Sequence, residues 1–319
     1  MRSRIIVVAF AAVLLVAGCS SGGREESGNA PKQSSGYTIA FVTHETPGDT
    51  FWDKVRAGAE QAATDTGVDL KYSNDPDAGK QATLIQQAVD SKVQGIATTL
   101  VTPDALAGSV KAATGAGIPV VGLNAGIDQY KSLGALMYFG SDETLAGESI
   151  GERLATAGAK HPICVIHQQG SVSLEARCAG VRSKVAGTEN LQVNGADDAA
   201  VTTALQAKLA QDKSIDYIVT LGAPVALDAI QATTQAASSA KLVTFDLNKE
   251  TAQAVKDGKI VFAVDQQPYA QGYMAVTSLY LYLKNGNDLG GGGPVLTGPS
   301  FVDAANIDTI LPFTEKNTR

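Results

Sequence analysis

From Tyr37 onward, apolar positions alternate between two spacings. Short runs rich in Val and Ile, YTIAFVT (37–43), VDLKYS (68–73), GIATTLV (95–101) and IPVVGLN (118–124), are separated by Ala-rich amphipathic stretches at 51–66, 77–91 and 103–116. The alternation resumes with ICVIH (163–167), NLQVN (190–194), IDYIVTL (215–221), KLVTFDL (241–247) and IVFAVDQ (260–266). Strands that are apolar throughout, with helices between them, predict parallel sheets covered on both faces. Gly67, Gly117 and Gly158 stand where helices should stop. Late in the chain the pattern predicts a helix over 268–285, a glycine-rich surface connection over 286–294 and a last strand over 299–307.

The two halves share a plan. IAFVTHETPGDTFW (39–52) and ICVIHQQGSVSLEA (163–176) each run from an apolar strand through a His and a polar turn into a helix start. The strands are too many for one ordinary sheet, so the expected fold class is α/β with two similar doubly wound parallel-sheet lobes. The break falls near FGSDETLAG (139–147), where Ser141 or Asp142 can cap the next helix.

The first residues change the picture of where this body resides. Arg2 and Arg4 precede a thirteen-residue apolar run, IIVVAFAAVLLVA (5–17). A membrane span needs about 20 residues, so the run fits the apolar region of a signal peptide, 1–18. LVAGC (15–19) resembles a bacterial lipobox, which would make Cys19 a lipidated mature N-terminus. An ordinary secretory signal with an incidental Cys is the alternative. Residues 19–36, Ser/Gly-rich with little that packs, read as a flexible tether. The expected location is the extracytoplasmic face of the membrane, held through the lipid. The formal charge is −7 and no basic run of five occurs, which argues against a nucleic-acid partner. Cys164 and Cys178, an even pair in an exported chain, read most simply as a disulfide, with a free buried pair as the alternative.

Ligands of doubly wound sheets bind outside the carboxyl ends of the strands. Those ends carry His44 and the loop to Trp52, then Asn124, His167, Gly222, Asp246 and Gln266. Carboxylates and amides suit vicinal hydroxyls, and ring faces suit the C–H surface, so a cleft lined this way fits a polyhydroxylated ligand. Each residue also has a purely structural reading. Asp49 can cap the helix that starts near Phe51, and one of Phe51 and Trp52 can anchor it. Asn124 can form an Asx-turn, Asp246 can cap the helix at 249–257, and Arg177 can pair with Glu175. His44 and His167 lack the partners and spacing of a metal site, so no metal and no cofactor are expected. No nucleophile elbow, P-loop, H-E-x-x-H or C-x-x-C motif is present, and an enzyme is not the expected class.

The motifs GDTFW (48–52), LEARCAGV (174–181), TFDLN (244–248) and VFAVDQQPYAQG (261–272), in this order, resemble the type I periplasmic sugar-binding proteins, specifically the ribose-binding-like branch that serves ABC importers. The likeness covers residues 37–307. It implies a monomeric solute receptor with a multi-crossing hinge at Ser141 and Asp142, docking on permease subunits. The division expected is 37–140 plus 268–298 for the first lobe and 141–267 plus 299–319 for the second. It also implies a ligand site of Asp49, Phe51, Trp52, Asn124, Arg177, Gly222, Asp246 and Gln266. Asn124, Ala125 and Gly222 stand where the family usually has Asp, Arg and Asn. Those departures argue against ribose and for a small sugar alcohol or monosaccharide, tetritol, pentitol or pentose-like, with His44 and His167 as replacement donors. The alternatives are a receptor presenting the ligand to a membrane sensor, or a sugar-acting enzyme.

Overall fold

The computed structural model describes residues 34–319; the leader, Cys19 and most of the tether lie outside the described residues. The first half runs β1 (Thr38–Thr43), α1 (Thr50–Thr66), β2 (Asp69–Asn74), α2 (Ala78–Asp90), β3 (Gly95–Thr99), α3 (Pro103–Gly115), β4 (Val120–Leu123), a short α4 (Tyr130–Leu133) and β5 (Met137–Ser141). The second runs α5 (Glu143–Thr156), β6 (Pro162–Ile166), α6 (Val172–Lys184), β7 (Glu189–Gln192), α7 (Asp198–Gln211), β8 (Tyr217–Thr220), α8 (Ala223–Gln235), β9 (Lys241–Phe245), α9 (Lys249–Lys256) and β10 (Phe262–Asp265). The chain then adds α10 (Pro268–Asn285), β11 (Val295–Gly298), β12 (Ser300–Asp303) and α11 (Ile307–Thr314).

Two six-stranded sheets result, ordered β11-β5-β4-β3-β1-β2 and β12-β10-β9-β8-β6-β7. Paired neighbours are parallel except β10 and β12. This is the type I periplasmic-binding-protein architecture. The unbroken apolar runs have a direct cause. In β1, Ile39 and Phe41 pack with α1 and α10 on one face, while Ala40 and Val42 pack with α2 and α3 on the other. Both faces are buried, so the middle of the strand is apolar throughout, and Thr43 at its buried end has a partner in the Tyr72 hydroxyl.

The expected last strand over 299–307 is corrected by the structure. VLTGPSFVD (295–303) splits at Gly298–Pro299: β11 joins the first sheet and β12 the second, and residues 307–314 are helical. Proline at 299 lacks the N–H that would continue the ladder, so the two halves part there. The chain therefore passes between the sheets three times, after β5, after β10 and between β11 and β12. Side chains lace the later two passages together. Gln267 Nε2 donates to the Thr297 carbonyl at 2.7 Å, and Gln271 Nε2 donates to Thr297 Oγ1 at 3.1 Å. At the first, Ser141 is fully buried and the Asp142 side chain caps α5 by accepting from Leu145 N–H at 2.9 Å.

Cys164 in β6 and Cys178 in α6 form a disulfide with Cα atoms 5.7 Å apart. The bond fixes α6 to the sheet beside Arg177. Gly147 of α5 serves the same helix from the other side, since a Cβ there would lie 2.1 Å from the Arg177 carbonyl oxygen. Only glycine allows so close an approach of α5 to α6.

Candidate functional site

Parallel strands deliver their carboxyl ends, and the N-termini of the helices that follow, to one side of each sheet. Here those sides face each other across a cavity of about 730 Å³. His44, Asp49, Phe51, Trp52 and Asn124 line it from the first lobe, and His167, Arg177, Gly222, Asp246 and Gln266 line it from the second. The structure thus brings together all ten residues singled out in the sequence. The lobes touch beside the cavity. Val172 N–H donates to the Val101 carbonyl at 3.3 Å, and Asn248 Nδ2 to Thr50 Oγ1 at 3.5 Å.

Apart from Asn124, the first-lobe wall is assembled within the stretch from His44 to Trp52. Asp49 caps α1, with Oδ1 accepting from Phe51 N–H at 3.0 Å. The cap and cavity-lining roles coexist, because the carboxylate has a second oxygen. Phe51 and Trp52 meet edge-to-face at 5.1 Å, and the His44 ring meets Trp52 edge-to-face at 4.7 Å. Both rings pack into the core and line the cavity at once. The proton on His44 can be placed by counting partners. Thr99 Oγ1 accepts from His44 N–H at 3.2 Å and from Gln81 Nε2 at 3.0 Å, so its own hydrogen goes to His44 Nδ1 at 2.7 Å. The imidazole proton is then on Nε2, at the ring edge away from Thr99. Burial, with lesser help from His167 and Arg177, pushes the ring's pKa down to about 3, so it is a neutral donor.

The second-lobe wall depends on residues far apart in sequence. Arg177 is 3% exposed. Its Nε donates to Glu143 Oε2, Nη1 to the Leu221 carbonyl at 3.3 Å and Nη2 to Gln266 Oε1 at 2.8 Å. Gln266 Nε2 in turn donates to Asp246 Oδ1 at 2.7 Å, and the guanidinium lies 4.1 Å from the Phe245 ring centroid. Of five guanidinium N–H groups, three have protein partners and two remain for a ligand. Burial pushes the Asp246 carboxyl up to about 7, opposed by Arg177 and by the Gln266 hydrogen bond. Burial likewise pushes His167 down to about 4. Gly222 caps α8 without a side chain, and a Cβ there would lie 3.3 Å from His167 Cε1. The imidazole occupies the room that a side chain at 222 would take.

Asn124 and Asp246 hold equivalent places in the two lobes. Each follows the fourth strand of its ladder with positive φ, 63° and 67°. Each backbone N–H bonds the next strand, Asn124 to Phe139 and Asp246 to Val264. Short polar side chains tolerate this left-handed backbone better than most residues. Asp246 does not cap α9; Asn248 does, in a capping box with Thr251. The partner of Arg177 is Glu143 rather than Glu175, which accepts from Gln192.

Two residues of this region escape sequence reasoning. Glu143 is 3% exposed and opens α5 directly after the first passage between the lobes. Its only sequence signal is an acid in a helix's first turn, which ordinarily complements the helix dipole in solvent. Lys54 is 1% exposed, and its ammonium donates to the Thr50 carbonyl at 3.0 Å. Burial lowers its pKa, and the charges of Asp246, Asp53, Asp49 and Asp265 oppose that shift. A lysine between Asp53 and Val55 on an amphipathic helix carries no sign of being buried.

A sequence profile of the periplasmic binding protein domain matches residues 39–288, and the chain belongs to that family. It is similar to the carbohydrate transporter of Acidothermus cellulolyticus 11B, whose crystal structure is in complex with myo-inositol. Identity is 54%, the match covers 89% of this chain and 99% of that one, and the TM-score is 0.88. The xylose/arabinose-binding protein of Sulfolobus acidocaldarius is 25% identical over 305 residues, 89% of this chain and 75% of that protein. An ABC transporter solute-binding protein from Burkholderia graminis C4D1M, in complex with D-arabinose, shares the fold. Its TM-score is 0.78 at 22% identity, covering 86% of this chain and 98% of that one. Among the described residues, no helix is long and apolar enough to cross a membrane.

Proposed function

We propose that the protein is the extracytoplasmic solute-binding component of an ABC importer. It is anchored through a lipid on Cys19 and binds a neutral polyol in the cleft between its lobes. The lobes, 37–140 plus 268–298 and 141–267 plus 299–319, close over the ligand about the passages at Ser141 and Asp142 and after β10 and β11. The closed form then docks on permease subunits as a monomer.

The ligand we assign is a six-membered cyclic polyol of the inositol type. The observation that carries this is the 54% identity, across 99% of its length, to a transporter protein crystallised with myo-inositol. On that account we prefer an all-carbon ring to the tetritol, pentitol or pentose expected from the sequence. The chemistry of the wall agrees. Asp49 and Asp246 accept hydroxyl protons, and Arg177 and the Nε2–H of His44 donate. Phe51 and Trp52 cover a C–H face of the chair-shaped ring. The role is binding without turnover.

A thermal-shift panel tests the assignment, comparing myo-inositol with linear tetritols and pentitols, D-arabinose and D-xylose. A one-site ligand at 100-fold over its Kd should add about 2.7 kcal/mol of stability. Myo-inositol should give the largest shift. A larger shift with a pentitol or pentose restores the expectation from the sequence, and no shift with any of them refutes polyol binding.

A further inference from the structure

The charges on the cavity wall do not balance. Among the lining residues Arg177 is the only Lys or Arg; its charge is paired with the Glu143 carboxylate, and the Leu221 carbonyl and the Gln266 amide take two more of its five N–H groups. Asp198, exposed in the first turn of α7, is one of three carboxylates that line the same cavity; the other two are Asp49 and Asp246. Each has one oxygen engaged, by Phe51 N–H and by Gln266 Nε2, and neither forms an ion pair among the described residues. Asp246 is 7% exposed, so its second oxygen has little water to turn to. Lys54 feels both carboxylates from beneath but is absent from the lining and donates to the Thr50 carbonyl. The two imidazoles of the wall are neutral. Two carboxylates facing one enclosed space raise each other's energy, and an opposite charge placed between them relieves both.

Resting on the reading of this cavity as a cyclic-polyol site, we propose that it selects by ligand charge. It takes an amino-substituted cyclic polyol, with an ammonium in place of one hydroxyl, at least as tightly as the neutral parent, and it excludes the phosphorylated or carboxylated one. An ammonium on the side of Asp49 and Asp246 offers three donors to their free oxygens and supplies the positive charge that the wall lacks. A phosphate would have to approach those carboxylates, with an arginine already neutralised by Glu143 as its only cation. The remaining hydroxyls meet Arg177 and His44 as in the neutral ligand.

Titration calorimetry at about pH 7 with myo-inositol, an aminodeoxy-inositol and an inositol monophosphate tests this on the purified protein. The amine should bind with a Kd equal to or below that of myo-inositol, and the phosphate at least about 100-fold more weakly. Asp49→Asn and Asp246→Asn then serve as internal controls, because the ratio of the two Kd values is insensitive to any general loss of fold. In at least one of them the preference for the amine over the parent should fall by about tenfold. Myo-inositol binding with the amine tenfold weaker, a ratio unchanged in both variants, or a phosphate that binds as well as the parent overturns charge selection and leaves the polyol assignment standing. No binding by any of the three overturns the polyol assignment and this inference together.

Discussion

The two walls of the cleft do similar work by different construction. In the first lobe, His44, Asp49, Phe51 and Trp52 sit within nine residues at one strand end and one helix start, with Thr99 steadying the His44 ring and Asn124 joining from the end of β4. In the second, Glu143, Arg177, Asp246 and Gln266 come from four separate elements or loops and are oriented by one another. A wall built locally is insured by its own backbone. A wall built as a buried polar network stands or falls as a unit, because each member left without its partner carries the full cost of burial. The second wall is also bound to the passages between lobes, since Glu143 follows the first and Gln266 begins the second.

The largest test removes the network's anchor. Glu143→Ala leaves the Arg177 guanidinium buried without its counter-charge and should cost about 3–5 kcal/mol of stability in urea unfolding. Loss below about 1 kcal/mol would show that Arg177 does not depend on Glu143 and would erase the contrast between the walls. Asp246→Ala comes next: it should weaken ligand binding at least tenfold, about 1.4 kcal/mol, with the fold retained by circular dichroism. Unchanged affinity would remove Asp246 from the site.

A pH series sharpens the same point. With its carboxyl pushed up to about 7, Asp246 favours the ligand-free folded state below the ordinary carboxylate range, and that contribution is lost as pH rises through 7. Accepting ligand hydroxyls needs the ionised form, so affinity should run the other way. It should fall as pH drops below about 7 and level off above it, by at most about tenfold per pH unit for a single proton. His44 and His167, at about 3 and about 4, stay neutral across that window. A flat profile of Kd between about pH 5.5 and 8 would place the carboxylate's titration elsewhere. The smallest effect is expected from Gly222→Ala. Its Cβ would sit 3.3 Å from His167 Cε1, so the imidazole must give by a few tenths of an ångström, and affinity should fall about two- to fivefold. A loss near that of Asp246→Ala would mean that His167 has no room to yield.

The contrast between the walls also explains what could be read from the sequence. Strand periodicity and helix starts are local signals, so the alternation of elements and the stretch from His44 to Trp52 were legible. Asp246 and Gln266 were legible as polar residues closing apolar strands. Glu143 was not, because its burial follows from a pairing with Arg177 across 34 positions, which no local pattern carries. Lys54 was hidden for a similar reason, since its burial depends on what packs over α1. The four residues of β11 were missed because VLTG (295–298) follows a glycine-rich loop and is too short to show a period, while the strand expected at 299–307 is present as β12 but stops at Asp303. Where Arg177 was concerned, the sequence suggested Glu175 two residues away, and the folded chain chose the acid of the neighbouring helix.

Titration calorimetry with myo-inositol tests the central claim, that both walls converge on one polyol site, most directly. The account predicts saturable binding at one site per chain, weakened at least tenfold by Asp49→Ala from one wall and by Asp246→Ala from the other. Binding that survives the loss of either carboxylate would contradict a shared site, and no heat at all would contradict the ligand.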